Sequence, residues 1–282
     1  MAVLIRTNTS DDSLMALAET MEKAFGVKPS LVADESRGHV DAGRFPKISL
    51  TPQVIKGFGF ASIPRNWGWF CGDFSLYAAM QACPHATRFL MIEDDVFIND
   101  AGATELADFA KSTELCGAAF GLQVKDRPPK YSTDLAQLDL SNLGGCLFPL
   151  TIMNRRVVVE MMKLRGRVQE HPHLRVNDEG IFANTIIENG LAFGDLSVCL
   201  PALFSSGPFS TNPPFLRESF AGMGDGPLIA HPVLPAARII DRIEQRIRPY
   251  SRFRLRHVLR GATPEIRARI EAALIAREAD QA

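Results

Sequence analysis

The stretch FLMIEDDVFIND, residues 89–100, limits what this chain can fold into more than any other. Phe89, Leu90, Met91 and Ile92 run directly into Glu93, Asp94 and Asp95, and Val96, Phe97 and Ile98 resume the apolar run. An apolar run of this length predicts a strand buried on both faces, as in the middle of a parallel sheet. Three adjacent carboxylates cannot stay ionised there without a partner, because burying an unpaired charge is very costly. A divalent cation is the most economical partner, and hard oxygen ligands select magnesium, manganese or calcium.

The 282 residues, 46% of them hydrophobic, suffice for one large α/β domain or two closely fused halves. A formal net charge of -1 conceals an asymmetry: residues 236–282 carry eleven arginines against six acids, which leaves the body net acidic. Such a body does not suggest a nucleic-acid partner, while the basic tail suits an anionic surface. Cys71, Cys83, Cys116, Cys146 and Cys199 are scattered without a CxxC pair. That pattern predicts reduced, mostly buried thiols in a cytoplasmic setting and argues against structural zinc. No signal-peptide pattern opens the chain, and no run approaches the roughly 20 apolar residues of a membrane span. A soluble cytoplasmic protein is expected, or one peripheral at the inner face of the membrane.

Residues 3–5 start a β-like segment that passes into Arg6, Thr7, Asn8 and Thr9. Asp11, Asp12 or Ser13 can cap the next helix, whose Leu14, Leu17, Ala18, Met21 and Phe25 keep helical spacing up to Gly26. Residues 31–33 read as a second strand ending at Asp34. This β-α-β start predicts an open, mostly parallel sheet flanked by helices, with right-handed crossovers. Ligands of such sheets sit at the carboxyl ends of the strands. Thr7, Asn8 and Asp34 are thereby placed beside the acidic cluster, where a nucleotide would bind, although Asp34 also reads as a plain turn residue.

Further along, a short strand or helix is expected around residues 48–55. Asp73 reads as the N-cap of a helix through Ala82, and Asp100 as the cap of a helix over 101–112. Residues 117–124 are a strand, 144–148 a short strand opened by two glycines, and Asn154 caps a helix to Leu164. Asn177, Asp178 and Glu179 precede a helix with Ile181, Phe182, Thr185 and Ile186 inward, and residues 191–200 form a last strand. Residues 205–227 predict a long mobile loop of the kind that often serves as a lid, closed by His231-Pro232. In the helical tail Arg238, Arg242, Arg246 and Arg248 recur opposite Ile239, Ile240, Ile243 and Ile247. That pattern suits anionic lipid headgroups, and equally a solvated helix packed against the body.

With a central strand ending in Glu93-Asp94-Asp95, the chain resembles the nucleotide-sugar-dependent glycosyltransferases of the GT-A fold. The segment NWGWFCGDFSLYAAMQACPHATRFLMIEDDV resembles bacterial polysaccharide glycosyltransferases, where a Gly-Asp pair, here Gly72-Asp73, opens the helix before the acidic strand. The resemblance is architectural over residues 1–235 and motif-specific over 66–98. It implies a donor-binding half over 1–98, an acceptor-binding half of the same domain over 99–235, and a basic helical segment over 236–282. It implies a divalent ion, Mn2+ or Mg2+, on Asp95, with Glu93 or Asp94 meeting the metal, its waters or the donor ribose. His231 stands where many such enzymes supply another ligand, and is otherwise an ordinary loop histidine. Asp178 or Glu179 fits the base that deprotonates the acceptor in inverting enzymes, although an Asp or Asn in Asn177-Asp178-Glu179 also suits a helix N-terminus for capping alone. Thr7, Asn8, Asp34 and Asp73 fall on the donor side, with Asp73 as a plain N-cap the simpler reading. Trp67 and Trp69 can stack on a sugar or base, or pack in the core. The implied partners are a nucleoside-diphosphate sugar and a glycan or lipid-linked saccharide.

Two alternatives stand beside this reading. A metal-dependent nucleotidyltransferase would open with a glycine-rich phosphate loop after its first strand, and RTNTSDDS has no glycine. A non-catalytic carbohydrate-binding protein on the same fold would not need an intact acidic triplet.

Overall fold

The computed structural model describes residues 1–124, 129–140, 142–220, 222–245 and 252–279. The β-α-β opening forms as expected: β1 (Ala2–Thr7), α1 (Asp12–Phe25) and β2 (Ser30–Asp34), with the two strands parallel. Asp11 caps α1 by accepting from the Leu14 amide at 2.9 Å, and Gly26, at φ 71°, closes it in the left-handed region. The region around residues 48–55 holds both a strand, β3 (Lys47–Leu50), and a helix, α2 (Pro52–Lys56). Then follow α3 (Trp67–Phe70), α4 (Phe74–Ala82), β4 (Arg88–Glu93), β5 (Phe97–Ile98) and α5 (Asp100–Ser112). The later elements are β6 (Gly117–Val124), β7 (Gly144–Asn154), α6 (Arg155–Gln169), α7 (Asp178–Glu188) and β8 (Phe193–Asp195).

These strands build an α/β fold around a seven-stranded sheet of order β3-β2-β1-β4-β7-β6-β8, in which only β7 runs against its neighbours. The sheet is covered on both faces, which explains the unbroken apolar run of β4. Phe89 and Met91 point into a core with α4, α6 and α7, whereas Leu90 and Ile92 enter a second core with α1 and α5. Each core draws on residues both before and after 98, so the acidic turn does not divide the packing.

Several elements differ from the sequence expectation. The central strand ends at Glu93, and Val96 donates back to the Glu93 carbonyl at 3.1 Å in a turn. The apolar run beyond it leaves the sheet, and β5 pairs with β10 (Ile229–Ala230). β7 has eleven residues rather than five, because both its edges find partners. The predicted last strand shortens to β8. Asp195 there caps α8 (Leu196–Cys199), and α9 (Pro201–Ser205) follows. Asn99, not Asp100, caps α5, accepting from Gly102 at 2.9 Å. The 205–227 stretch is not one open loop: it contains β9 (Phe215–Leu216), paired with β11 (Val233–Leu234), and buries Leu216 and Phe220.

The tail forms α10 (Ala236–Glu244), α11 (Arg252–Gly261) and α12 (Pro264–Ala279). Ile239, Ile243, Leu255, Val258, Ile270 and Leu274 make a third core among them. Arg246, Ile247 and Arg248 of the predicted basic face lie outside the described residues. No described helix is long and apolar enough to cross a membrane.

Candidate active site

The carboxyl ends of β1, β2 and β4, the first turn of α7 and the chain around His231 enclose a cleft of ≈ 610 Å³. Thr7, Asn8, Asp34, Glu93, Asp94, Asp95, Asp178, Glu179 and His231, all singled out in the sequence, line it. Parallel strands bring these residues together, because each strand ends on the same edge of the sheet.

Two of the three acids are paired with arginines, where the sequence made a divalent cation the most economical partner of the cluster. Arg6 is in register with Glu93 across β1 and β4 and donates to its Oε1. The same guanidinium donates to the Gly68 carbonyl and lies 3.5 Å from Asp178 Oδ2. Asp94 Oδ2 accepts from Thr7 Oγ1 at 2.7 Å and from Arg238 at 3.2 Å. Arg238 also pairs with Asp11, tying α10 to the cap of α1. Burial pushes the Glu93 and Asp94 carboxyls up, with Arg6 and Arg238 opposing.

Asp95 is different. Its Oδ1 is buried without a hydrogen bond and stands 3.3 Å from His231 Nε2. His231 Nδ1 lies 2.6 Å from the Ser210 carbonyl, which can only accept, so Nδ1 carries a proton. A second proton, on Nε2, makes His231 and Asp95 an ion pair; in the neutral ring the Nε2 lone pair faces Asp95, and a metal cation can take that proton's place. Burial works against the imidazolium, yet Asp95 and Glu93 outweigh it and hold His231 above its usual pKa. Burial likewise opposes the charge of Asp95, but His231, Arg242 and Arg238 keep its carboxyl below the ordinary range. Ligand atoms of Glu93, Asp95 and His231 lie within 4.8 Å of one another. Oxygen ligands with one imidazole suit Mn2+ or Mg2+, so the residues present fit a divalent ion.

At the other side of the site, Asn177 caps α7 through the Gly180 amide at 3.0 Å. That releases Asp178 and Glu179 from capping and leaves both facing the cleft. Asp178 Oδ2 accepts from the Gly72 amide at 3.0 Å and Oδ1 from Glu179 N at 2.9 Å. Burial pushes the Asp178 carboxyl up to about 8, with Arg6 opposing. Glu179 is also raised by burial, against the hydrogen bond that Asn177 Nδ2 donates to it at 3.0 Å. Gly72 permits this arrangement: a Cβ there would stand 2.2 Å from Arg6 Nη1 and 2.3 Å from Asp178 Oδ2.

Asp34 combines both of its sequence readings. Its Oδ1 makes a turn by accepting from Ser36 N at 2.9 Å, and the residue still lines the cleft. Asp73 is the correction. It is fully buried, makes no side-chain cap and does not line the cleft. Arg165 Nε and Nη2 bind its two oxygens at 2.8 and 2.7 Å, and Tyr77 Oη donates at 2.7 Å. Trp67 packs in the core, whereas Trp69 opens into the cleft.

Arg6, Arg238 and Arg242 were missed as site residues. Arg6 carried a signal, being the one charge inside the apolar strand AVLIRT. Arg238 and Arg242 carried only the basic periodicity of the tail. The structure turns both toward the cleft side, Arg238 in ion pairs and Arg242 in the lining, rather than outward to a surface.

No protein-family model matches this chain, and no curated protein matches it. Among solved structures it is similar to the galactosyltransferase LgtC in complex with donor and acceptor sugar analogs, at 14% identity over 80% of this chain and 79% of that one, TM-score 0.42. It is similar to mouse xyloside xylosyltransferase 1, at 11% identity over 75% of this chain and 88% of that one, TM-score 0.40. A nucleoside-diphosphate-sugar pyrophosphorylase from Vibrio cholerae matches at 12% identity over 68% of this chain and 90% of that one, TM-score 0.39. Scores this low carry no argument about function, which rests instead on the residues of the cleft.

Proposed function

We propose that this protein is a metal-dependent glycosyltransferase that moves a sugar from a nucleoside-diphosphate sugar to a glycan or lipid-linked saccharide, in bacterial surface-polysaccharide synthesis. The observation that carries the reading is the convergence of Glu93, Asp95 and His231, whose ligand atoms lie within 4.8 Å of one another in an open cleft, with His231 Nε2 at 3.3 Å from the buried Asp95 Oδ1. A bound Mn2+ or Mg2+ supplies neutralisation of the charge that builds on a departing diphosphate. Asp95, His231 and Glu93 would hold it, and Thr7, Asn8 and Asp34, at the ends of β1 and β2, would take the nucleoside. Residues 1–98 then supply the nucleoside contacts and 99–235 the base that meets the acceptor, with His231 joining the cation ligands from the second stretch.

Asp178 is the residue best suited to accept the proton of the acceptor hydroxyl. Its carboxyl is fixed by the Gly72 amide and is pushed up to about 8, close to the range a general base needs near neutral pH. Glu179, beside it, is the second candidate.

Screening nucleotide sugars for Mn2+-dependent hydrolysis tests the reading. Asp95→Ala is expected to cut that turnover by more than about 100-fold, beyond the loss seen for indirect metal contacts, with circular dichroism unchanged. Retained turnover in a folded Asp95→Ala protein overturns it.

A further inference from the structure

The chain has two tryptophans, two residues apart, and the fold treats them oppositely. Both border the cleft, but Trp67 is 8% exposed and packs near Phe74, whereas Trp69 is 63% exposed. Leaving an indole in water forgoes the stabilisation that burying so large an apolar surface brings. A single exposed apolar side chain is ordinary on a protein surface. This ring is informative because it lines a concave cleft of mostly polar residues, where aromatic side chains meet ligands.

The ring is held in place rather than merely left outside. The Trp69 amide donates to the Asn66 carbonyl at 3.0 Å. The indole packs 5.9 Å from Phe70 and meets Tyr131 edge-on, at 5.9 Å and 82°. Tyr131 in turn meets Phe70 edge-on, at 5.4 Å and 87°. These contacts fix the indole at one attitude and leave most of it open.

Its attachments place it at the α7 end of the cleft. Trp69 lies on α3, beside Gly68, whose carbonyl holds Arg6, and just before Gly72, whose amide holds Asp178. Tyr131 is tied to the first turn of α7: a Cβ on Gly180 would stand 2.8 Å from the Tyr131 carbonyl. The cation ligands come instead from β4 and His231. Gly68 also abuts Asp34, a Cβ there standing 2.0 Å from Asp34 Oδ2. Trp69 thus lies between the end of β2 and α7, away from the diphosphate beside Asp95. Its bracing ring, Tyr131, comes from the α7 side, where the acceptor approaches Asp178 and Glu179.

We propose that Trp69, braced by Tyr131, is the platform on which a pyranose ring of the acceptor stacks. This deepens the glycosyl-transfer reading and rests on it. The C–H face of a pyranose lies flat on the negative face of an indole, while its hydroxyls project sideways. Arg65 and Asn66, exposed on the same cleft, can meet those hydroxyls. A lipid alcohol or a protein side-chain hydroxyl offers no such flat face, so the acceptor class is a saccharide.

Stacking reads the C–H face more than the hydroxyl pattern, so simple sugars serve as probes: methyl β-D-glucopyranoside, methyl β-D-galactopyranoside and cellobiose. Saturation-transfer NMR from aromatic protons to sugar C–H protons is expected to give a signal with wild type for at least one of them. Trp69→Ala is expected to lose that signal about tenfold, and Trp69→Phe to restore most of it, which excludes misfolding as the cause. The proposal is overturned if none of the three sugars gives a signal, or if Trp69→Ala keeps it. It is overturned equally if UDP or GDP with Mn2+ displaces the sugar, since the platform would then serve the base. Absence of Mn2+-dependent donor hydrolysis by the wild type, with the sugar signal present, defeats glycosyl transfer and leaves a carbohydrate-binding cleft.

Discussion

Asp95 and His231 show how much one pair of side chains can decide. The Ser210 carbonyl sets the imidazole tautomer, and burial removes the water that would otherwise satisfy Asp95 Oδ1. Because His231 holds its proton to higher pH than a free histidine, a divalent cation has to displace that proton in order to bind. Mn2+ affinity is therefore expected to rise with pH, approaching about tenfold per unit for one proton released, and to level off once His231 is neutral. Calorimetric titration at three pH values, with His231→Asn as the comparison, measures this; an affinity flat with pH in the wild type contradicts it. The acidic triplet was readable from residue types alone, because consecutive carboxylates inside an apolar run have few uses. Arg6 and Arg238, which neutralise two of those acids, were not. An ion pair between residues 87 or 144 positions apart leaves no local trace.

At the scale of elements, Asp73 is the informative failure. A lone carboxylate at the head of a helix reads as a cap, or with Gly72 as part of a donor site, and the tertiary structure uses it to join α4 to α6. Arg165 is fully buried, gives both of its forks to Asp73 and Val176, and is held far above its ordinary pKa by Asp73 against the cost of burial. Removing one member of such a pair strands the other charge. Asp73→Asn and Arg165→Met are each expected to lose about 3–5 kcal/mol of stability while the surviving folded protein binds Mn2+ as the wild type does. Urea unfolding with metal titration checks both halves, and a loss of metal affinity would return Asp73 to the site. Asn177 marks the opposite outcome. The sequence offered an Asp or Asn at this helix start as a cap, and Asn177 takes that role, which frees Asp178 and Glu179 for the cleft.

At the scale of the molecule, the C-terminal helices belong to the cleft. Arg238 on α10 bridges Asp11, the cap of α1, and Asp94 in the acidic turn, so tail and sheet edge are clasped at one point. Arg238→Met is expected to open this clasp, at about 1.5–3 kcal/mol for a hydrogen bond to a charged group. Amide hydrogen exchange in α10 and in residues 7–11 should then speed up by about tenfold or more. Unchanged protection would mean that the apolar core of α10, α11 and α12 holds the tail without it. The basic periodicity of this segment suggested a lipid surface, yet two of its arginines face inward, because acids on two other elements wait there.

By itself the sequence determined the β-α-β opening, the mostly parallel sheet and the edge at which its acids gather. Those follow from local periodicity, caps and the rule that parallel strands end on one side. Only the tertiary structure decided that Glu93 and Asp94 face arginines while Asp95 faces His231, that Asp73 is a buried strut, and that Trp69 rather than Trp67 lies open. Each of these depends on partners distant in the chain, and the free energy of a buried charge or ring is set by what surrounds it, not by its neighbours in sequence.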